Sequence, residues 1–132
     1  MPSVFTRIIN GEIAAYKVAE TDRFIAFLDV NPLAKGHTLV VPKQEEDYLF
    51  DINDEEYVEL MAFAKKVAVG LRKAVPCIRI GVAVIGLEVP HAHIHLIPLN
   101  TMSDINFSLP KLSLAKEIME ETASRIKAEI KP

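Results

Sequence analysis

"PHAHIHLIP", residues 90–98, sets three of the chain's four histidines at alternate positions and brackets them with prolines. Along a strand, side chains alternate between the two faces of a sheet. The pattern therefore predicts a strand over 91–98 with His91, His93 and His95 on one face and Ala92, Ile94 and Leu96 on the other. Helices would cover the apolar set, while Pro90 and Pro98 would mark where sheet pairing ends. Imidazole offers packing nothing that leucine lacks, and three adjacent rings would repel one another if all were protonated. A cluster of titratable groups in register points instead to a site.

Two chemistries suit such a row. Alternating histidines can give two nitrogens to zinc, with His37 from another strand as a third ligand. Such sites usually recruit a carboxylate or thiolate as well, and beside this strand the sequence offers only Glu88. The other chemistry is nucleophilic attack on phosphorus. A neutral imidazole attacks near pH 7 once a hydrogen bond fixes its second nitrogen as N–H. Neighbouring imidazoles and backbone N–H groups then stabilise the charge that develops on the phosphoryl oxygens.

The rest of the chain bounds these readings. Its 132 residues, half hydrophobic and a quarter charged, suit one globular domain over 1–132 with a core of its own. The formal net charge of −3, with both signs interspersed, argues against a nucleic-acid partner. No apolar run approaches the roughly 18 residues of a membrane span, and the N-terminus lacks a signal-peptide layout. The single Cys77 excludes an internal disulfide and a Cys-x-x-Cys zinc knuckle. A cytoplasmic protein with no membrane partner is the expectation.

Ser3 is placed to cap a short helix, "VFTRIIN", ended by Gly11. "YKVAET", "RFIAFLDV" and "HTLVVP" read as three strands, with "NPLAKG" as turn chemistry before the third. Asn53 and Glu56 form a capping-box pattern ahead of a helix over about 54–74. There Tyr57, Leu60, Met61, Ala64, Val67, Ala68 and Leu71 share one face, and Val58, Ala62 and Val69 make a second apolar stripe that suits either another subunit or tolerated apolar surface. "CIRIGVAVIG" and "HAHIHLIP" are two more strands. After an irregular stretch, Ser113 would cap a last helix over about 113–130, with Leu114, Ile118, Thr122, Ile126 and Ile130 recurring every four residues. The expected architecture is α+β, a five-stranded, largely antiparallel sheet with helices on one face, the long helix central and those at the two ends short.

With these residues in place, the chain resembles the histidine triad (HIT) family of nucleotidyl hydrolases and transferases. "HAHIHLI" fits the family's His-x-His-x-His pattern with two apolar residues after it. "FTRIINGEI", "FIAFLDVNPLAKGHTLVVPK" and "EVPHAHIHLIP" resemble family signatures in the same order, so the likeness spans about residues 4–99. The resemblance implies that His93 is the nucleophile of a nucleotidyl-histidine intermediate, that His95 bonds the phosphate, and that His91 orients His93. His37 would be the separate histidine packed beside the triad. Phe5, Ile8, Phe27 and Val30 would line the base pocket, and Asp29 would hold the ribose hydroxyls. A homodimer acting on a purine nucleotide or nucleotide conjugate, with no cofactor and no metal, is implied with them.

Three positions depart from the family pattern. Leu87 stands where a phosphate-binding glutamine is expected, and Glu88 where a serine aids the leaving group. The asparagine of the preceding strand is missing from "RIGVAVIG". A leucine cannot donate to a phosphate, whereas Glu88 could give a proton if its pKa were raised. Cleavage of a nucleoside 5′-phosphoramidate or a related conjugate through His93 is thus the leading reading. Nucleotide binding with little turnover is the alternative, and a zinc-dependent hydrolase the remote one.

Overall fold

The computed structural model describes residues 2–130. The chain runs through α1 (Val4–Ile9), β1 (Lys17–Glu20), β2 (Phe24–Leu28), β3 (Thr38–Pro42), α2 (Asp54–Ala74), β4 (Arg79–Ala83), β5 (Ile94–Leu99) and α3 (Lys116–Glu129). Single 3-10 turns sit at Leu49–Asp51 and Met102–Ile105. The strands form one sheet in the order β1-β2-β3-β5-β4, and every neighbouring pair is antiparallel.

Strand β2 shows why the sheet is a sandwich filling. All five of its residues are buried, but they alternate in what they meet. Phe24, Ala26 and Leu28 pack with Leu60, Ala64, Val67 and Leu71 of α2 and with Met119 and Ile126 of α3. Ile25 and Phe27 pack instead with Leu39 and Val41 of β3 and with Phe5 and Ile8 of α1. Helices therefore cover both faces, not one as the sequence suggested. The short α1 is enough because it needs to bury only two side chains. Each large apolar side chain so enclosed contributes about 1.5–3 kcal/mol.

Helix α2 begins as expected, with the Asn53 side chain accepting from the Glu56 N–H. Its buried face includes Phe63, tilted against the Phe24 ring at 5.6 Å, while Met61 stays exposed. Helix α3 begins three residues after Ser113, at Lys116, with Ala115 as its first capping residue and the Ala115 carbonyl accepting from the Ile118 and Met119 N–H groups. Ile118 is exposed and Met119 takes the buried place. Four-residue steps drift about 40° each around a helix, so a stripe at that spacing leaves the core. Leu114 and Ile130 still pack against the core at either end, and Thr122 is buried.

Regular pairing in β5 starts only at Ile94. Residues 91–93 meet the chain that follows β3, where the Ala92 N–H donates to the Glu46 carbonyl at 2.7 Å. Pro98 does not end the ladder, since it sits opposite Ile80 of β4. The Leu99 carbonyl accepts from the Ile78 N–H, so Leu99 faces the β4 side and Pro98 the β3 side. The last β3 partner of β5 there is Thr38, opposite Leu96. The absent N–H of Pro98 thus falls where no strand needs it.

Gly36 delivers the chain into β3. Its φ of +93° favours glycine, and a Cβ there would lie 2.9 Å from Val75 Cγ2. The next residue is His37, buried at the head of the strand.

Candidate active site

The α1 face of the sheet and the β4–β5 loop converge on a cavity of about 540 Å³, a size suited to a small-molecule ligand. Phe5 and Ile8 of α1, Phe27 of β2, Leu39 of β3 and the neighbouring Ile13 and Ala15 form its apolar end. Asp29, Val30 and Asn31, which follow β2, form one edge. His93 and His95 line it beside Phe5, and Leu87 and Glu88 stand exposed on the rim.

Backbone groups fix the protons on the imidazoles, and they do so without a charge. The His93 Nδ1 lies 2.8 Å from the His91 carbonyl, which can only accept, so Nδ1 carries the hydrogen. The lone pair of the neutral ring is then on Nε2. His37 Nδ1 accepts from the Leu33 N–H at 3.0 Å, so its own hydrogen is on Nε2, which donates to His95 Nδ1 at 2.9 Å. His95 must therefore hold its hydrogen on Nε2. His91 donates through Nε2 to the Pro42 carbonyl at 2.8 Å and accepts at Nδ1 from the Ser3 hydroxyl at 2.7 Å. One ring is left with a free lone pair and its neighbour with a free N–H.

Burial keeps the supporting rings neutral. It pushes His37 from the usual 6.5 down to about 3, assisted by His95, and His95 down to about 4, assisted by His93. Burial likewise lowers His91, against the pull of the Pro42 carbonyl and of Glu45. For Asp29, burial raises the carboxyl pKa against the lowering effect of the Asn31 N–H. Among the described residues every buried side-chain nitrogen and oxygen has a hydrogen-bond partner, as native interiors require. Phe5 meets His93 edge-on at 4.9 Å, and its ring also touches those of His91 and Phe27. The arrangement holds one nitrogen nucleophile and one N–H donor side by side at the end of an apolar slot.

The HIT domain family matches this chain over residues 10–102. The chain belongs to the HIT family. An uncharacterized HIT-like protein of Borreliella burgdorferi is 35% identical to it, covering 96% of this chain and 97% of its own. An adenosine 5′-monophosphoramidase of Schizosaccharomyces pombe is 31% identical, over 99% of this chain and 100% of its own. A solved structure of a HIT-like protein involved in cell-cycle regulation from Bartonella henselae superposes with a TM-score of 0.82 at 32% identity, covering 96% of this chain and 95% of its own.

Every residue singled out in the HIT motifs reaches the cavity or touches a ring that does. His93, His95, Phe5, Ile8, Phe27, Asp29, Val30 and Glu88 line it, while His91 and His37 stand behind as supports. Asp29 also serves its own turn, its Oδ1 accepting from the Asn31 N–H at 2.9 Å. Leu87 is 87% exposed and borders the cavity, so it is a rim residue and not a core one.

Asp29, His37 and His95 each bring one donor atom within 4.8 Å of the others, a carboxylate partner that the sequence did not suggest. The hydrogen bonds do not suit a resident metal there. A cation on His37 Nε2 would displace its hydrogen while the Leu33 N–H still occupies Nδ1, leaving an imidazolate. Sequence reasoning missed Ile13 and Leu39 in the apolar end, and Phe107 and Lys111 beside the histidines. The last two lie in the irregular stretch after β5, whose approach to the site depends on contacts far apart in sequence. No local pattern marks them.

Proposed function

We propose that this HIT protein hydrolyses a nucleoside 5′-phosphoramidate or a related nucleotide conjugate through His93. The observation that carries the reading is the His93 Nδ1–H bound to the His91 carbonyl, which leaves the Nε2 lone pair at the cavity. In the first step Nε2 attacks phosphorus, a nitrogen–phosphorus bond forms, and the bond to the leaving nitrogen breaks. That nitrogen takes its proton from water at the rim. In the second step water attacks phosphorus, the His93 bond breaks, the nucleoside monophosphate departs and one proton returns to solvent. The Nε2–H of His95 donates to a phosphoryl oxygen as charge builds there. The apolar slot takes the base, and the Asp29 carboxylate accepts from the ribose hydroxyls.

The name of the Schizosaccharomyces pombe relative supports the choice of bond. Leu87 favours the second reading, nucleotide binding with little turnover, because its side chain has no donor to offer a phosphate. A homodimer belongs to the same proposal, two copies meeting through the exposed Val58, Ala62 and Val69 of α2. So does a cytoplasmic setting, where a lone thiol such as Cys77 is ordinary. Replacing His93 with Ala tests the enzyme. Turnover of adenosine 5′-phosphoramidate should fall by about a thousandfold or more while adenosine 5′-monophosphate still binds. A variant within tenfold of the parent would refute the assignment.

A further inference from the structure

Asp29, Glu88, His93, His95 and Lys111 are the titratable groups that line the cavity. Two are carboxylates, and His95 is held neutral by burial. Lys111 is the one lysine or arginine on the wall among the described residues. A nucleotide phosphate brings negative charge into this setting, and the side chain of the rim residue Leu87 has no N–H or O–H to meet it.

The segment that carries Lys111 is built onto the site at two points. Before it, the Phe107 ring stands edge-on to His95 at 4.8 Å and to His37 at 6.2 Å. After it, the Leu112 N–H donates to the Pro32 carbonyl at 2.8 Å, tying the segment to the turn that follows Asp29. Between these anchors the Lys111 ammonium lies 5.9 Å from the centre of the Phe107 ring. It donates to the Phe107 carbonyl at 2.7 Å and to the Leu109 carbonyl at 3.3 Å. An ammonium has three donors, so one is left for a ligand. The charge already reaches the site, where it acts on both Asp29 and His37.

We propose that Lys111 is the cationic phosphate contact of this cavity, meeting the charge of a nucleoside 5′-phosphate where the glutamine of the family pattern is replaced by Leu87. The inference rests on the nucleotide reading of the site and adds to it a group from the C-terminal segment. Lys111 reads the phosphate alone; the base and ribose lie toward Phe27 and Asp29. Substrates with a more highly charged phosphate gain more from it.

The test compares adenosine 5′-monophosphate with adenosine, titrated calorimetrically into the full chain and into Lys111→Met and Lys111→Arg. Lys111→Met should weaken the monophosphate about tenfold, the lower end for one hydrogen bond to a charged group, and leave adenosine within about twofold. Lys111→Arg should recover most of the loss, and kcat/KM for adenosine 5′-phosphoramidate should follow the same order. Equal weakening of both ligands would assign Lys111 to the shape of the loop and overturn the proposal. So would a Lys111→Met variant that binds the monophosphate as the parent does, and if His93→Ala were still inactive the nucleotidyl-histidine reading would survive that result. A parent that binds neither ligand would overturn both.

Discussion

The hydrogen on His95 is assigned by an amide four residues ahead of His37, through two rings in series. Leu33 N–H, His37 and His95 form a chain in which each acceptor decides where the next ring keeps its hydrogen. The same burial has a thermodynamic consequence. With folded values of about 3 and about 4 against an ordinary 6.5, His37 and His95 bind fewer protons folded than unfolded at mildly acid pH. Their depressed values leave stability intact above 6.5, and it is lost progressively as pH falls below that toward 4. At about pH 5 each neutral ring should cost ~2 kcal/mol relative to pH 7. The urea midpoint should fall accordingly with an unchanged slope, whereas a midpoint level down to pH 5 would mean that these rings protonate in place. The triad, His37 and the Asp29 turn were all readable as residues, because each sits in a local pattern. Ser3 as the partner of His91 and Lys111 on the wall were not, because both arrive from more than one element away.

Helix α2 has a buried face and a free one. Leu60, Val67 and Leu71 are enclosed, while Val69 is 49% exposed and Val58 64% exposed. If two copies meet there, Val69→Asp places a charge in an apolar contact and should shift the mass in solution from dimer to monomer at micromolar concentration. A parent that is already monomeric under those conditions would remove the idea. The elements themselves were legible where the local signal is strong, as in the helical period of α2 and the aromatic and β-branched run of β2. They were misread where pairing partners decide the outcome. Pro98 looks like a strand terminator until its missing N–H is seen to face a gap beyond Thr38. Ser113 looks like a cap until the Ala115 carbonyl is seen to start the helix without it. The face covered by α1 escaped because its two buried residues, Phe5 and Ile8, set no stripe long enough to count.

At the scale of the molecule, the sheet separates two tasks. One face carries α2 and α3 and most of the core, and the other carries α1 and the cavity. The sandwich therefore backs the imidazole row while opening His93 and His95 to a ligand in front. The proposed chemistry requires a covalent bond between phosphorus and Nε2 of His93. Intact-protein mass spectrometry, on the chain quenched in alkali within seconds of mixing with adenosine 5′-phosphoramidate, tests that bond directly, since a phosphorus–histidine link survives base and breaks in acid. Adenylate on a single residue, mapped by peptide fragmentation to His93 and missing from His93→Ala, is the predicted result. Turnover with no adduct on any histidine, or an adduct mapped to His37 or His95, would overturn His93 as the nucleophile.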